Sequence, residues 1–405
     1  MTDVNVLGIV AEYNPYHNGH LYHLKKSKEI VGSSTAVAVM SGNFTQRGEP
    51  AILDKWKRAE IAIKNGVDLV IELPFLYACN SAEYFAEGAV KLLTALGVVD
   101  VISFGAEDSD IRKLNQIAEI LACESAEFRG CLKRHSDSGL SFPSARQKAI
   151  EDITDVETAL LLRHPNNTLA IEYLKQIKRY NSNLRPIVIQ RKCAGYEELE
   201  PVSKIAGASA LRRLLYNGKF EEALEYMPGG NSIQEGVKPG FAWLDHFYTI
   251  AAFTIRTKSI SELNEVQSAS EGLEYKMKKA TGKATNMKSL ISAIKSKRYT
   301  QTRIQRCIIH TIFGITRNTY RLLNSVDITY ARVLGMNQNG RKLLKKIKNK
   351  SNITLITNLM RQKSDSCAEL GLLDLDILAS DIYNLVEGRD CYTESDFRKR
   401  PFVMI

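Results

Sequence analysis

The chain has 405 residues, of which 44% are hydrophobic and 25% charged, a composition typical of a globular protein with two or three domains. No run reaches the roughly 18 to 20 apolar residues that a membrane span needs, and the N-terminus lacks the basic region of a signal peptide. The seven cysteines are odd in number and form no CxxC pair. We therefore expect reduced thiols, no zinc site and a cytoplasmic location.

The net charge of +10 is concentrated in one part of the chain. Residues 271–350 contain 19 Lys and Arg against three Asp and Glu, a local balance of +16, whereas the rest carries 36 basic and 42 acidic residues. Such a block attracts a polyanion by neutralising phosphates and releasing counterions, although a well-solvated helical surface is the alternative. We expect nucleic acid to bind here, and the densest basic run supplies the candidate contacts: Arg341, Lys345, Lys346, Lys348 and Lys350.

The first 105 residues alternate between short apolar runs and amphipathic helical spacing. These patterns predict strands at 6–11, 36–40, 69–73 and 99–105, and helices after residue 20, over 55–64 and over 82–96. Continuous apolar strands joined by helices are typical of a parallel sheet that is covered on both faces. The pattern therefore predicts an α/β fold built on a doubly wound parallel sheet.

The remaining chain reads mainly as helix. A helical stretch is predicted over 108–180, one further strand over 186–190 and a helix over 208–216. From about residue 240 onward the periodicity predicts helices and no further strands. Gly- and Pro-rich segments at 228–232 and 239–240 are candidate junctions. We therefore predict an α/β domain over 1–228 and a mainly helical, basic domain over 229–405.

The segment Asn14-Pro15-Tyr16-His17-Asn18-Gly19-His20, where the first strand turns into the first helix, carries the chemistry. The chain has no GxxxxGK[ST] and no GxGxxG after this strand, which excludes a P-loop and a dinucleotide fingerprint. A helix N-terminus presents free N–H groups to phosphate, and Gly19 allows close backbone approach. Histidines three residues apart can point at one phosphate and stabilise its charge in the transition state. Helix capping is the structural alternative.

Six segments together resemble the bacterial tRNA(Met) cytidine acetate ligase family, part of the HxGH nucleotidyltransferase superfamily. They are AEYNPYHNGHLYHL (11–24), SGNFTQRGEPA (41–51), FGAED (104–108), HPNNTLAIEYL (164–174), SKRYTQTRIQR (296–306) and YARVLGMNQNGRKLLKKI (330–347). The resemblance extends from about residue 5 to 350. It implies an HxGH nucleotidyltransferase-like, ATP-binding catalytic domain over 1–228 and a tRNA-binding domain over 229–405.

The resemblance also implies the reaction of a carbon–nitrogen ligase. ATP, with Mg²⁺, activates acetate as acetyl-adenylate, and the acetyl group passes to N4 of the wobble cytidine of elongator tRNA(Met), which gives N4-acetylcytidine. The expected partners are acetate and the anticodon loop of that tRNA, while no membrane and no DNA are expected. A protein metal site is not expected.

Site residues follow from the same resemblance. His17 and His20 are the expected catalytic residues, whereas His23 is expected to pack on the helix. Asn167 is a one-residue alternative to Asn166, and Asn166 could instead cap a helix. The expected ATP-binding residues are Val10, Ala11, Glu12, Tyr13, Asn14, Pro15, Tyr16, His17, Asn18, Gly19, His20, Leu21, Tyr22, His23, Gly105, Asn166, Arg191 and Lys192.

Two arginines outside that set are further candidates. Arg212 ends the segment 207–212, which has the spacing of a second superfamily signature and implies a phosphate contact. Arg47 lies in a loop flanked by Gly42 and Gly48 and could bind acetate or pyrophosphate, or make a surface salt bridge.

Two other functions remain open from the sequence. An adenylyltransferase for a small phosphorylated metabolite would explain residues 1–215 but not the basic block. A nucleotide-sensing, RNA-binding protein without catalysis would explain the basic block but not the intact pair of histidines.

Overall fold

The computed structural model describes residues 5–32, 35–191, 205–228, 243–361 and 371–405. The expected ATP contact Lys192 and both candidate junctions, apart from Pro228, lie outside these ranges. The described strands are β1 Val6–Ala11, β2 Thr35–Ser41, β3 Leu69–Leu73, β4 Val101–Ala106, β5 Arg185–Gln190, β6 Tyr330–Met336, β7 Thr354–Ile356 and β8 Phe402–Val403.

Helices make up most of the rest. In the first half they are α1 Asn18–Val31, α2 Lys55–Lys64, α3 Phe75–Ala78, α4 Ala82–Ala95, α5 Ile111–Cys123, α6 Ala126–Asp137, α7 Phe142–Ile153, α8 Val156–Leu160, α9 Pro165–Arg179, α10 Ala208–Tyr216 and α11 Phe220–Leu224. In the second half they are α12 Trp243–His246, α13 Tyr248–Thr257, α14 Ile260–Glu265, α15 Leu273–Thr281, α16 Met287–Ile294, α17 Gln301–Ile312, α18 Arg317–Asn324, α19 Gln338–Lys350 and α20 Leu372–Val386.

The strands form one sheet in the order β5-β4-β1-β2-β3-β6-β7, with β8 also paired to β6. The five strands from β1 to β5 are all parallel to their neighbours. Two hydrophobic clusters cover the two faces, one with α1, α2 and α10, the other with α4, α9 and the helices of the second half. The predicted doubly wound α/β fold is confirmed.

The order of the strands reverses between β1 and β4, which are adjacent in the sheet although β2 and β3 lie between them in sequence. Crossovers on either side of such a point leave a crevice at the carboxyl ends of the strands, where open α/β sheets bind their ligands. The turn after β1 and the end of β4 both lie at this crevice.

The prediction of no strands beyond residue 240 is wrong. β6 pairs with β3 in the antiparallel direction, and β7 and β8 pair with β6. All seven residues of β6 are buried. The strand was not recognised in the sequence because Arg332 interrupts its apolar run. In the structure the Arg332 guanidinium lies 5.3 Å from the Trp56 ring centroid and donates to Asp396 O at 2.9 Å.

The C-terminal segment packs on the α/β sheet rather than apart from it. In α20, Asp376 accepts from Phe75 N at 2.6 Å, and Tyr383 donates to Ala51 O at 2.8 Å. The sheet thus contains strands from both sides of the predicted domain boundary, which itself stays a prediction because residues 229–242 are not described. In the described part of the chain, no helix is long and apolar enough to cross a membrane.

Candidate active site

The turn from β1 into α1 is held in a fixed shape by buried contacts. Tyr13 adopts a φ of 50°, which is uncommon for a residue other than glycine, and the Asn14–Pro15 peptide bond is cis. Arg58, fully buried on α2, donates to Glu12 O at 2.5 Å and to Ser41 O at 3.1 Å, which ties the ends of β1 and β2 together. The turn is therefore positioned by the core of the protein.

His17 and His20 form the N-terminal cap of α1 with their own rings. His17 Nδ1 accepts from Gly19 N at 3.1 Å, and His20 Nδ1 accepts from His17 N at 3.2 Å, so the two residues make a capping box. The rings stack with centroids 3.8 Å apart. Because Nδ1 accepts in both neutral rings, the proton is on Nε2 in both, and each ring keeps one N–H donor. The two histidines thus cap the helix, which was the structural alternative, and each also keeps an Nε2–H donor.

The histidines remain neutral near pH 7. Burial lowers the pKa of His17 to about 3, with Arg191 and Arg212 adding to the effect. Burial, then His17 and Arg191, also holds the pKa of His20 well below its ordinary value. A neutral imidazole can donate a hydrogen bond to an anion, and it does so without placing a positive charge in a buried site.

The glycine of the motif has a packing role. A Cβ added to Gly19 would lie 2.8 Å from His17 Cε1 and 2.9 Å from its Nδ1, too close for a real contact. Gly19 therefore lets the His17 ring lie against the first turn of α1, a reason that spacing alone did not reveal.

One cleft of about 2370 Å³ contains most of the predicted ATP-binding residues. Those that line it are Val10, Ala11, Glu12, Tyr13, Asn14, His17, Gly19, His20, Tyr22, His23, Gly105, Asn166 and Arg191. Pro15, Tyr16, Asn18 and Leu21 belong to the same segment but are not in its wall. Tyr16 is 1% exposed in the core, and Asn18 N donates to Tyr226 O at 2.8 Å.

His23 is hydrogen-bonded inside the fold. Its Nε2 lies 3.0 Å from Ser103 Oγ, which in turn lies 2.7 Å from Ser27 Oγ. Burial and Arg191 lower the pKa of His23 to about 4. The ring therefore packs between α1 and β4, as expected, and also borders the cleft.

Gly105 and Arg191 meet at the ends of β4 and β5. Arg191 N donates to Ala106 O at 2.8 Å, and a Cβ on Gly105 would lie 3.2 Å from Arg191 Cγ. The absence of a side chain at Gly105 therefore lets the stem of Arg191 cross the crevice.

The adjacent residues Asn166 and Asn167 have different environments. Asn166 lines the cleft and donates through Nδ2 to Glu107 Oε1 at 2.6 Å, while Asn167 is fully buried and accepts from Asp108 N at 3.0 Å. Asn166 lies inside α9 and is not its N-cap, and Glu107 also accepts from Asn167 N at 2.9 Å. Glu107 thus performs the capping that the sequence suggested for Asn166.

Charged side chains line the part of the cleft beside the histidines. Arg212 donates to Asn14 O at 2.8 Å and lies 3.6 Å from Glu49 Oε2. Arg47 is exposed at the same wall and makes no ion pair with any described residue. Glu12 is half-buried and accepts from Gln46 N at 2.7 Å. Arg47 and Arg212, together with Arg191, therefore place cationic groups next to the capping box.

Another part of the cleft wall is basic and comes from the second half of the chain. We call Lys276, Lys297, Arg298, Arg303 and Arg306 the basic rim. Lys276 and Arg303 lie over the Tyr299 ring at 5.1 and 5.4 Å, and Arg306 donates to Gln46 O at 3.1 Å. These residues belong to the 271–350 block where nucleic acid is expected, but the sequence did not indicate that they line the same cleft as the histidines.

The predicted nucleic-acid contacts on α19 lie elsewhere. Arg341, Lys345, Lys346, Lys348 and Lys350 are all exposed. Asn337 N, just before α19, donates to Asp68 O at 3.0 Å at the start of β3, and Lys350 borders a small cavity with Val6, the first residue of β1. α19 is therefore at the amino ends of the parallel strands, on the edge of the sheet opposite the histidines.

Among the residues that the structure describes, no group of three or more His, Cys, Asp or Glu is arranged to hold a metal ion. The carboxylates near the histidines, Glu12 and Glu49, are each bound to protein donors. Glu12 accepts from Gln46 N, and Glu49 Oε1 accepts from Gln305 Nε2 at 3.0 Å.

Comparison with known proteins shows the family to which the chain is similar. A sequence model described as HIGH Nucleotidyl Transferase matches residues 4–397. A tRNA(Met) cytidine acetate ligase from Thermoanaerobacter sp. (strain X514) is 42% identical over 399 residues, which cover 97% of this chain and 98% of the relative. The enzyme of the same name from Clostridium perfringens (strain ATCC 13124) is 41% identical over 393 residues, 95% of this chain and 96% of its own length.

Solved structures agree in fold over the full length. Thermotoga maritima TmcAL bound with alpha-thio ATP superposes with a TM-score of 0.89 at 33% identity, covering 99% of each chain. Apo TmcAL from the same organism gives a TM-score of 0.90 at 32% identity, covering 99% of this chain and 100% of the other.

Proposed function

The chain belongs to the tRNA(Met) cytidine acetate ligase family of HIGH nucleotidyl transferases, and on this premise we propose how its residues divide the reaction. It is an ATP-dependent ligase that acetylates N4 of the wobble cytidine of elongator tRNA(Met) through acetyl-adenylate. The observation that carries the proposal is the His17–His20 capping box, which leaves two Nε2–H donors in a cleft shared with the basic rim.

In the first half-reaction an acetate oxygen attacks the α-phosphorus of ATP, and pyrophosphate leaves. His17 and His20 donate through Nε2 to the phosphate oxygens, whose negative charge grows in the transition state. The first turn of α1 adds its dipole, whereas its N–H groups are already bonded within the protein. Because acetate is the nucleophile, no side chain has to form a covalent intermediate.

Arg212 and Arg47 are suited to bind the other anionic groups, which are the phosphates, acetate and pyrophosphate. We assign Arg212 to the phosphates, because its bond to Asn14 O holds it at the turn that precedes the capping box. Arg47 is assigned to acetate or to the departing pyrophosphate. Mg²⁺ bound to ATP would be held mainly by phosphates and water, as it commonly is at nucleotide sites, and would neutralise part of the phosphate charge.

The tRNA enters from the basic rim. Small-ligand pockets usually measure about 300–1,000 Å³, so a cleft of about 2370 Å³ has room for ATP and for an unpaired nucleotide beside it. The rim cations contact the backbone phosphates, and the anticodon loop offers the cytidine as a single-stranded base. The α19 cluster stays a prediction: it lies at the other edge of the sheet, so it would meet a different part of the tRNA.

Product analysis tests the function directly. Purified protein, ATP, labelled acetate and elongator tRNA(Met) are expected to give labelled N4-acetylcytidine in the digested tRNA, and omission of either ATP or acetate abolishes the label. A wobble position with uridine in place of cytidine is the matched control and stays unlabelled. Adenylylation of a small metabolite, or tRNA binding without acetylation, would instead support one of the two other functions.

A further inference from the structure

Glu12 lies where the ATP site and the basic rim meet. It follows β1 directly, lines the cleft and is half-buried. The hydrogen bond from Gln46 N to Glu12 Oε1 measures 2.7 Å, and Gln46 O accepts from Arg306 at 3.1 Å. A short chain of contacts therefore joins Glu12 to the wall that we assign to tRNA.

Glu12 is also close to the phosphate site. Arg212 interacts electrostatically with both the Glu12 carboxylate and the His17 ring, and it is bonded to the backbone at Asn14. The acyl carbon of acetyl-adenylate is one oxygen away from the α-phosphorus that His17 and His20 hold. A carboxylate here is thus near the atom that the cytidine amine attacks.

The second half-reaction needs a base at that position. The N4 lone pair forms the new C–N bond while the carbonyl π pair moves to oxygen. That pair returns as the C–O bond to the phosphate breaks, and AMP leaves with the bonding electrons. The nitrogen must lose one proton, and proton removal by a positioned carboxylate typically contributes about 10²- to 10⁴-fold.

Resting on the proposed function, we infer that Glu12 is the general base of acetyl transfer and takes the N4 proton of the cytidine. The proton then passes to AMP or to solvent. Gln46 N fixes one carboxylate oxygen and leaves the second for the substrate. Burial raises the pKa of Glu12, which improves its match to a proton acceptor near neutral pH.

The neighbouring carboxylate is less suited to this role. Glu49 Oε1 accepts from Gln305 at 3.0 Å, and Glu49 Oε2 lies 3.6 Å from Arg212, so both of its oxygens face protein donors. Several charged or titratable groups from the elements around Glu12 influence its protonation: Arg47, Glu49, Arg58, Cys79, Tyr173 and Arg212.

Glu12→Gln separates the chemical role from the structural one. The amide oxygen of Gln still accepts from Gln46 N, but the side chain cannot take a proton. Acetyl-adenylate formation is followed without tRNA by acetate-dependent pyrophosphate release. Acetyl transfer is followed in single turnover from preformed acetyl-adenylate, between about pH 5 and 8. Glu49→Gln is the matched control from the same cleft.

For Glu12→Gln we expect the loss in transfer to exceed the loss in acetyl-adenylate formation by at least about 100-fold. In the unchanged protein and in Glu49→Gln, transfer falls as pH falls through the pKa of Glu12, because the protonated acid cannot accept; Glu12→Gln loses this dependence. Equal losses in both steps would assign Glu12 to ATP binding and overturn the inference. Transfer that stays fast would also overturn it, whereas an unchanged protein without acetate-dependent activity would refute the proposed function itself.

Discussion

His17 and His20 each combine a structural role with a chemical one. Their Nδ1 atoms cap α1, and both residues line the cleft and keep an Nε2–H donor, so replacement by Ala would remove both roles at once. Substitutions that keep the cap separate them. Asn is a good N-cap residue, and Gln at the third helical position completes a capping box.

We expect His17→Asn and His20→Gln each to slow acetyl-adenylate formation by roughly 10²- to 10³-fold, the usual cost of one lost transition-state donor. Thermal stability should change little in comparison with His17→Ala, which also loses the cap. Pyrophosphate release and the midpoint of thermal unfolding measure the two effects. A normal rate of adenylate formation in either variant would remove that histidine from the mechanism.

At the residue scale the sequence motifs indicated four residues that line the cleft, the two capping histidines, Gly105 and Asn166. The sequence could not indicate that Glu107 caps α9 or that Arg306 reaches Gln46, since these contacts join segments 59 and 260 residues apart. From the sequence alone, Arg303 and Arg306 are equally compatible with a solvent-exposed helix surface. The tertiary structure shows that they line the cleft.

At the scale of elements, two basic clusters can be compared. The basic rim borders the cleft, whereas the α19 cluster lies at the opposite edge of the sheet. Both are rich in Lys and Arg, so composition did not distinguish them. Their positions relative to the histidines do.

Neutralising Lys276, Lys297 and Arg298 to Gln is expected to reduce acetyl transfer at limiting tRNA and to spare pyrophosphate release without tRNA. Each lost phosphate contact lowers the salt dependence of tRNA affinity by about one unit of log–log slope. The matched control, with the same change in charge, replaces Lys345, Lys346 and Lys348 with Gln. We expect it to lose less acetyl transfer. The reverse ranking would move the anticodon loop to α19.

The strands of the first half were predicted to within two residues, because each is a continuous apolar run next to an amphipathic helix. β6 was missed because Arg332 and Gly335 break its run. Burial of Arg332 depends on Trp56 and on the C-terminal segment, which no local pattern reveals.

At the scale of the whole molecule, one buried ion cluster ties the C-terminal segment to the sheet. Lys55 is fully buried on α2 and donates to Glu72 at 2.8 Å and to Asp396 at 2.6 Å. Burial lowers the pKa of Lys55, but Asp396 and Glu72 outweigh burial, and the net direction is upward. The ammonium group therefore stays charged between the two carboxylates.

Lys55→Met removes the ion-pair partner of Glu72 and leaves Asp396 with the more distant Arg332, 3.9 Å away, and we expect it to lower the free energy of unfolding by about 3–5 kcal/mol. Lys64→Met on the same helix is the control, because Lys64 is half-exposed and its pair with Glu60 is worth at most about 1 kcal/mol. Urea unfolding followed by circular dichroism compares the two. Equal small losses would show that the cluster contributes little to holding the C-terminal segment.

In the proposed mechanism, ATP and acetate react to form acetyl-adenylate before tRNA binds. Exchange of labelled pyrophosphate into ATP, measured without tRNA and with or without acetate, tests it most directly. We predict exchange that requires acetate and that falls in His17→Asn and His20→Gln. Exchange that ignores acetate, or none with acetate and ATP both present, would contradict the account.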